Sequence, residues 1–166
     1  MENNMKTKLK KMTAMIFATA ALVGCATAEG VKAGASNAPY AKAGFYTSLD
    51  NDGRLWVFPE GSQDLADYKE KGKPARQVRR IAAGPQGQTV ISTEMEHINA
   101  YIVSKPGFYT EIRDERLWVL PEGSDDHKAF VEKGPPARQV RRIAAGPMGM
   151  TLISTEMEHI DAYLAN

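Results

Sequence analysis

Two pairs of side chains in this sequence have the spacing of a metal site. Glu94 is followed three residues later by His97, and Glu156 is followed in the same way by His159. Residues three apart share a helix face, so a carboxylate and an imidazole could bind one ion, and two copies could supply a two-Glu, two-His site. The alternative is that these are surface residues of short helices, with the histidine covering the edge of an apolar face.

Three arginines stand ahead of a glycine turn in each half of the chain. Arginines beside such a turn can hold a carboxylate or a phosphate. No Gly-Lys-Ser/Thr follows, so this is not a Walker-type loop. The alternative is a solvated strand face whose arginines pair with acidic helix residues. The candidate anion or ligand site comprises Arg76, Arg79, Arg80, Arg138, Arg141 and Arg142.

Two further groups have both a functional and a packing interpretation. The thioethers of Met148 and Met150 suit Cu(I), but the first half has Gln86 and Gln88 at the matching places. Aromatic side chains could line a groove for a peptide or glycan, although the core is their usual place; they are Phe45, Tyr46, Trp56, Phe58, Phe108, Tyr109 and Trp118.

No Ser–His–Asp order, catalytic carboxylate pair or nucleotide-binding motif is evident, so the sequence predicts a non-enzymatic protein without a cofactor.

These groups recur because the chain contains a tandem repeat. Gly44-Phe45-Tyr46-Thr47 returns as Gly107-Phe108-Tyr109-Thr110. The stretch from Ala75 to Tyr101 matches that from Ala137 to Tyr163 at all but four of 27 positions. An internal duplication explains this, and it implies that both halves share one fold.

Each repeat is expected to fold as ββαββα, which gives an α+β protein. Two aromatic and β-branched runs around an Asp- and Gly-containing turn predict a hairpin, and Ser62 is a candidate N-cap for the helix that follows. A second hairpin is predicted across Gly84-Pro85-Gln86-Gly87. Thr93-Glu94-Met95-Glu96 has the form of a capping box for the last helix.

The two repeats are expected to pack as one pseudo-symmetric globule. A unit of about 60 residues is marginal by itself without disulfides or metal. The run Leu55-Trp56-Val57-Phe58 is apolar on both faces of its strand and needs cover on both sides. We therefore expect the repeats, 44–103 and 104–166, to bury these strands against each other.

The N-terminal residues have the character of an export signal. Lys6, Lys8, Lys10 and Lys11 precede an apolar run that ends at Val23. This run is about half the roughly 20 residues that a membrane-spanning helix needs. A basic head, a short apolar run and small residues after it predict a signal peptide over 1–24.

The end of this leader, Leu22-Val23-Gly24-Cys25, resembles the lipobox of bacterial lipoproteins. The resemblance implies that the signal is cut before Cys25 and that Cys25 is diacylated on sulfur. Residue 26 is Ala rather than Asp, which by the same resemblance favours the outer membrane, facing the periplasm, over the inner membrane. Residues 25–43 are rich in small residues and are expected to form a flexible tether.

The composition reduces the range of possible functions. The whole chain has 21 basic and 20 acidic residues, and the leader holds four Lys and one Glu, which leaves 17 and 19. This balance excludes a basic nucleic-acid binder. The main hypothesis is a lipid-anchored, non-enzymatic envelope lipoprotein that binds a partner protein or envelope component. The alternative is a periplasmic metal- or small-ligand-binding lipoprotein that uses the Glu/His or Arg/Gly positions.

Overall fold

The computed structural model describes residues 38–166, all of which belong to one compact unit. The signal peptide at 1–24, the lipidation site Cys25 and the tether residues up to 37 lie outside the described residues. Among the residues that are described, none of the helices has the length and apolar character required to cross a membrane.

The predicted α+β fold with two ββαββα repeats is confirmed. The first repeat consists of β1 (Phe45–Leu49), β2 (Arg54–Pro59), α1 (Gln63–Lys71), β3 (Val78–Arg80), β4 (Thr89–Ser92) and α2 (Met95–Val103). The second consists of β5 (Phe108–Arg113), β6 (Arg116–Pro121), α3 (Asp125–Lys133), β7 (Val140–Arg142), β8 (Thr151–Ser154) and α4 (Met157–Ala165).

Each repeat forms its own four-stranded sheet, in the order β1-β2-β4-β3 and β5-β6-β8-β7. Both predicted hairpins are antiparallel pairs, with Phe45 opposite Pro59 and Val78 opposite Ser92. The two hairpins join through a parallel pairing of β2 with β4, in which Trp56 lies beside Ile91. Helix α1 lies in the long connection that a parallel pairing requires.

The central strand is covered on both faces by helices of its own repeat. Trp56 and Phe58 pack against Leu65 of α1. Leu55 and Val57 pack on the other face against Ile98 of α2. The second repeat has the same two clusters. The expectation that each repeat would need the other to cover this strand is therefore wrong, because α1 and α2 supply both layers.

The start of α1 was predicted correctly and the start of α2 was not. The Ser62 hydroxyl accepts a hydrogen bond of 3.2 Å from the backbone N–H of Leu65, and α1 ends at Gly72 with a φ of 80°. At α2 the N-cap is Glu94, and its side chain makes no capping hydrogen bond. The Thr93 hydroxyl donates instead to Asp64. A distant partner has thus replaced the local capping box.

The folded part of the first repeat begins earlier than residue 44. The side chain of Tyr40 packs against the α2 layer, and Lys42 Nζ donates hydrogen bonds of 2.7 and 2.8 Å to the carbonyls of Tyr101 and Ser104. The tether predicted over 25–43 therefore extends too far, since residues 40–42 belong to the fold. The residues equivalent to 40–42 directly precede the second repeat. One of them, Val103, lies in the core around α4.

Candidate functional site

A polar cluster joins α1 to the junction of β4 and α2. We call Asp64, Ser92, Thr93 and His97 the histidine cluster. Ser92 Oγ lies 3.2 Å from His97 Nδ1, and the Thr93 hydroxyl donates a 2.5 Å hydrogen bond to Asp64 Oδ2. Asp64 Oδ2 is also 3.8 Å from His97 Nδ1. The cluster connects α1 to two consecutive elements that follow it much later in the sequence, and it forms without a capping box.

The second repeat reproduces this cluster. Ser154 Oγ lies 3.2 Å from His159 Nδ1, and Thr155 Oγ1 donates a 2.6 Å hydrogen bond to Asp126 Oδ2. Thr155 Oγ1 is itself 3.2 Å from His159 Nδ1. The same tie between helix and sheet is thus made twice in the described chain.

The histidine cluster contains Ser, His and Asp but lacks the geometry of a catalytic triad. In a triad the serine and the carboxylate bind opposite ring nitrogens, so that a proton can pass from the serine to the imidazole. Here Ser92 and Asp64 both face Nδ1 of His97. Ser92 and Ser154 are also completely buried. A substrate cannot reach these hydroxyls, so the arrangement suits structural support rather than nucleophilic catalysis.

The predicted metal site is only partly assembled. His97 Nε2 lies 3.9 Å from Glu94 Oε2, so the two side chains do share a helix face. Across residues 38–166, however, no group of three or more His, Cys, Asp or Glu side chains could hold a metal ion. Glu94, His97, Glu156 and His159 therefore do not form the predicted four-ligand site. Each histidine directs Nδ1 to hydroxyl groups of its own repeat.

Two of the six candidate arginines are bound to the helix beside them. Arg80 Nη2 donates a 3.0 Å hydrogen bond to Asn99 Oδ1, and Arg142 Nη2 lies 2.6 Å from Asp161 Oδ1. These contacts fix β3 to α2 and β7 to α4. Arg80 and Arg142 are thus removed from the predicted ligand site, and the alternative of pairing with helix residues is correct for Arg142.

The other four candidate arginines remain available. Arg76, Arg79, Arg138 and Arg141 are exposed. Their guanidinium groups make no hydrogen bond or ion pair within the described part of the chain. The structure therefore leaves an identical pair of unpaired arginines on each repeat.

The structure places a further arginine, Arg54, beside these candidates. A pocket of about 300 Å³ is lined by Arg54, Gln77, Arg79 and Ile91. Arg54 begins β2, and Arg79 lies in β3 opposite Ile91 of β4. The apolar run Leu55-Trp56-Val57-Phe58 predicts this strand, but only the pairing of β2 with β4 brings Arg54 towards Arg79.

An exposed isoleucine follows these arginines in each repeat. Ile81 is 78% exposed and Ile143 is 77% exposed, although most of the large apolar side chains are buried. The next residue, Ala82 or Ala144, has a φ of 54° or 51°. Such a left-handed conformation costs an alanine about 1–2 kcal/mol. The turn that presents the isoleucine is therefore strained in both copies.

The remaining candidates are mainly part of the core. Tyr46, Trp56, Phe58 and Trp118 are buried, which confirms core packing for these aromatics. Met150 packs against the core of the second repeat, whereas Met148 is 39% exposed. The two thioethers thus have different surroundings. The ring of His127 stacks on that of Tyr109 at 4.3 Å, and so this histidine has a packing role.

Comparison with known proteins gives no relative. No protein family, curated protein or solved structure matches this chain.

Proposed function

We propose that this protein is a non-enzymatic lipoprotein of the cell envelope whose two repeats bind a partner protein through equivalent surfaces. The leader and Cys25 support export and lipid anchoring, with the outer membrane as the expected location. The geometry of the histidine cluster supports a role without catalysis, because its serines are buried and its carboxylates bind threonines.

The observation that carries the proposal is an exposed isoleucine beside unpaired arginines, present once in each repeat. We define the arginine–isoleucine surface as Arg76, Arg79 and Ile81 in the first repeat, with Arg138, Arg141 and Ile143 in the second. An isoleucine with 78% of its surface in water gains about 1.5–3 kcal/mol when a partner buries it completely. The strained turn behind it holds this side chain outside the core.

Charge complementarity defines the partner. Each surface presents two guanidinium groups that have no counter-charge in the described chain. The matching surface is an apolar pocket bordered by carboxylates, since arginine forms bidentate hydrogen bonds with carboxylate groups. Two equivalent surfaces on one chain can engage a repeated or dimeric partner with higher avidity than either surface alone.

Site-specific photo-crosslinking in the native host tests this proposal. A crosslinking amino acid is placed at Ile81, at Ile143 and, as a control, at Val131, which is 63% exposed and has Lys69 at the equivalent position. We expect the same adduct from positions 81 and 143 and none from 131. The adducts should disappear when Arg76→Glu and Arg138→Glu reverse the local charge.

Two results would contradict the proposal. Adducts of equal yield at all three positions would indicate random collisions with abundant proteins. Adducts that persist after charge reversal would exclude an acidic partner surface.

A further inference from the structure

The pocket that joins Arg54 to Arg79 shares Arg79 with the arginine–isoleucine surface but does not include the exposed isoleucine. We call Arg54, Gln77, Arg79 and Ile91 the arginine pocket. Its volume of about 300 Å³ is at the lower limit of small-molecule sites, so it suits a small chemical group. The pocket lies on the α1 side of the sheet, because Ile91 packs there with Trp56.

The strand register determines how the two arginines approach this pocket. Strand β4 lies between β2 and β3, and its residue Ile91 is the register partner of both Trp56 and Arg79. Arg54 precedes Trp56 by two residues and therefore points to the same face of the sheet. The guanidinium groups thus reach the pocket from either side of an apolar floor made by Ile91.

No side chain of the described chain neutralises these two charges. The residues that line the pocket include no carboxylate, and neither guanidinium group makes an ion pair or hydrogen bond within residues 38–166. Arg113, by contrast, pairs with Glu111 at 2.6 Å. Two like charges that converge without a counter-charge favour the binding of an anion.

The second repeat has the same residues in the same register. Arg116 is aligned with Thr151, and Arg141 lies opposite Ile153, as Arg54 and Arg79 are with Thr89 and Ile91. Gln139 corresponds to Gln77. The preceding hairpin turns differ, since Asp50 of the first is replaced by Arg113 in the second. The arginine at the start of the strand is therefore kept although the turn residues before it have changed.

From this geometry we infer that each repeat binds a dianionic tetrahedral oxyanion, namely a phosphate or sulfate group, between its two unpaired arginines. Two guanidinium groups match a charge of −2, whereas a single carboxylate would leave one of them unpaired. Their N–H groups and the amide of Gln77 donate to the oxygens, as charge-assisted hydrogen bonds that are stronger than neutral ones. The anion can be free or belong to a larger molecule.

Calorimetric titration of the full chain, purified in detergent, tests the inference with inorganic phosphate, inorganic sulfate, a sugar phosphate monoester and acetate. We expect one phosphate or sulfate to bind per repeat at pH 8, and acetate not to bind. Affinity for the phosphate monoester should fall below about pH 6, where the second proton returns to its phosphate group, while sulfate affinity should remain. Tighter binding of the monoester would identify the anion as part of a larger molecule, and equal binding would identify free phosphate.

Substitutions separate this site from general charge effects. Arg54→Gln should weaken binding in the first repeat by about tenfold or more, and Arg116→Gln should do the same in the second. Arg54→Lys should restore part of the affinity, which excludes simple misfolding. Lys133→Gln is the control for general charge effects, because Lys133 is exposed and lies outside both the pocket and the arginine–isoleucine surface.

An equal loss in Lys133→Gln, comparable binding of acetate, or no binding of either dianion would overturn the inference. Arg54 and Arg116 lie outside the arginine–isoleucine surface. Failure of anion binding would therefore leave the crosslinking test of the partner protein unaffected, and the reverse also holds.

Discussion

The hydroxyl group of Tyr101 donates a hydrogen bond of 2.7 Å to the backbone carbonyl of Tyr40. The last helix of the first repeat is thereby closed onto the chain segment that precedes its first strand. Tyr163 makes the equivalent bond of 2.8 Å to the carbonyl of Val103. Each repeat thus includes a short segment before β1 or β5. This segment lies outside the repeated sequence motif.

This closure predicts how single repeats behave. We expect a fragment of residues 38–104 to be a folded monomer, because both faces of β2 are covered by its own helices. A fragment of residues 44–104 should be less stable by about 1–3 kcal/mol, since it lacks the Tyr40 acceptor and the Lys42 contacts. Urea denaturation followed by circular dichroism measures both. If 38–104 is unfolded, the repeats stabilise each other after all.

The histidine cluster should contribute to stability through its threonines. Thr93→Val keeps the shape of the side chain but removes the donor to Asp64, which should cost about 1–3 kcal/mol. Thr155→Val should have a similar effect through Asp126. Thr47→Val is the control, because the Thr47 hydroxyl has no partner within the described residues and valine suits a strand. Equal stability of all three variants by chemical denaturation would contradict a structural role.

The protein should lose stability at high pH because of its buried tyrosines. Burial raises the pKa of Tyr101 and Tyr163 to about 12. An unfolded tyrosine ionises near pH 10, so between about pH 10 and 12 the unfolded chain releases protons that the folded chain retains. This stabilising contribution is complete below pH 10 and is lost as the pH rises towards 12. The free energy of unfolding should therefore fall, and Tyr163→Phe should reduce the slope.

The titration of Lys42 changes the free energy of unfolding in the opposite direction to that of the tyrosines. It therefore determines the pH range in which the tyrosine effect can be measured. Burial and the charge of Lys105 lower the pKa of Lys42 to about 8. Between about pH 8 and 10.4 the unfolded chain holds a proton that the folded chain has lost, so stability rises there. The tyrosine effect should be measured above this range. A free energy of unfolding that continues to rise beyond pH 11 would contradict it.

Processing of the leader gives a separate prediction. If Cys25 carries the lipid, Cys25→Ser should leave an uncut precursor and abolish labelling by a fatty-acid analogue. The only cysteine of the chain is Cys25, so no other thiol can take its place. Labelling that is unchanged in this variant would exclude the lipoprotein assignment.

Local patterns in the sequence are sufficient to predict the helices and strands but not which strands pair. Turn residues and apolar periodicity predict the order ββαββα, and Ser62 predicts the start of α1. The parallel pairing of β2 with β4 joins segments separated by a helix and a hairpin, so no local pattern reports it. The same pairing brings Arg54 to Arg79 across the sheet, a relationship that proximity in sequence does not indicate.

The capping box shows a second limit of local reasoning. Thr93 and Glu96 have the correct spacing, but the Thr93 hydroxyl donates to the aspartate of α1, and Glu94 is the N-cap of α2. A hydrogen bond to an ionised acceptor is stronger than one between neutral groups, so this distant bond stabilises the position of Thr93. The same bond occurs at Thr155, where Asp126 occupies the position of Asp64.

The position of Val103 indicates how further repeats could be added to the chain. It is the last residue of one helix and also part of the next repeat's core, where its carbonyl accepts the bond from Tyr163. Tyr40 fills the corresponding place for the first repeat, so that position accepts either an incoming segment or the end of a preceding helix. Insertion of a further copy at this junction would recreate the same contacts. The architecture is thus an open-ended module that gene duplication can lengthen without redesigning a core.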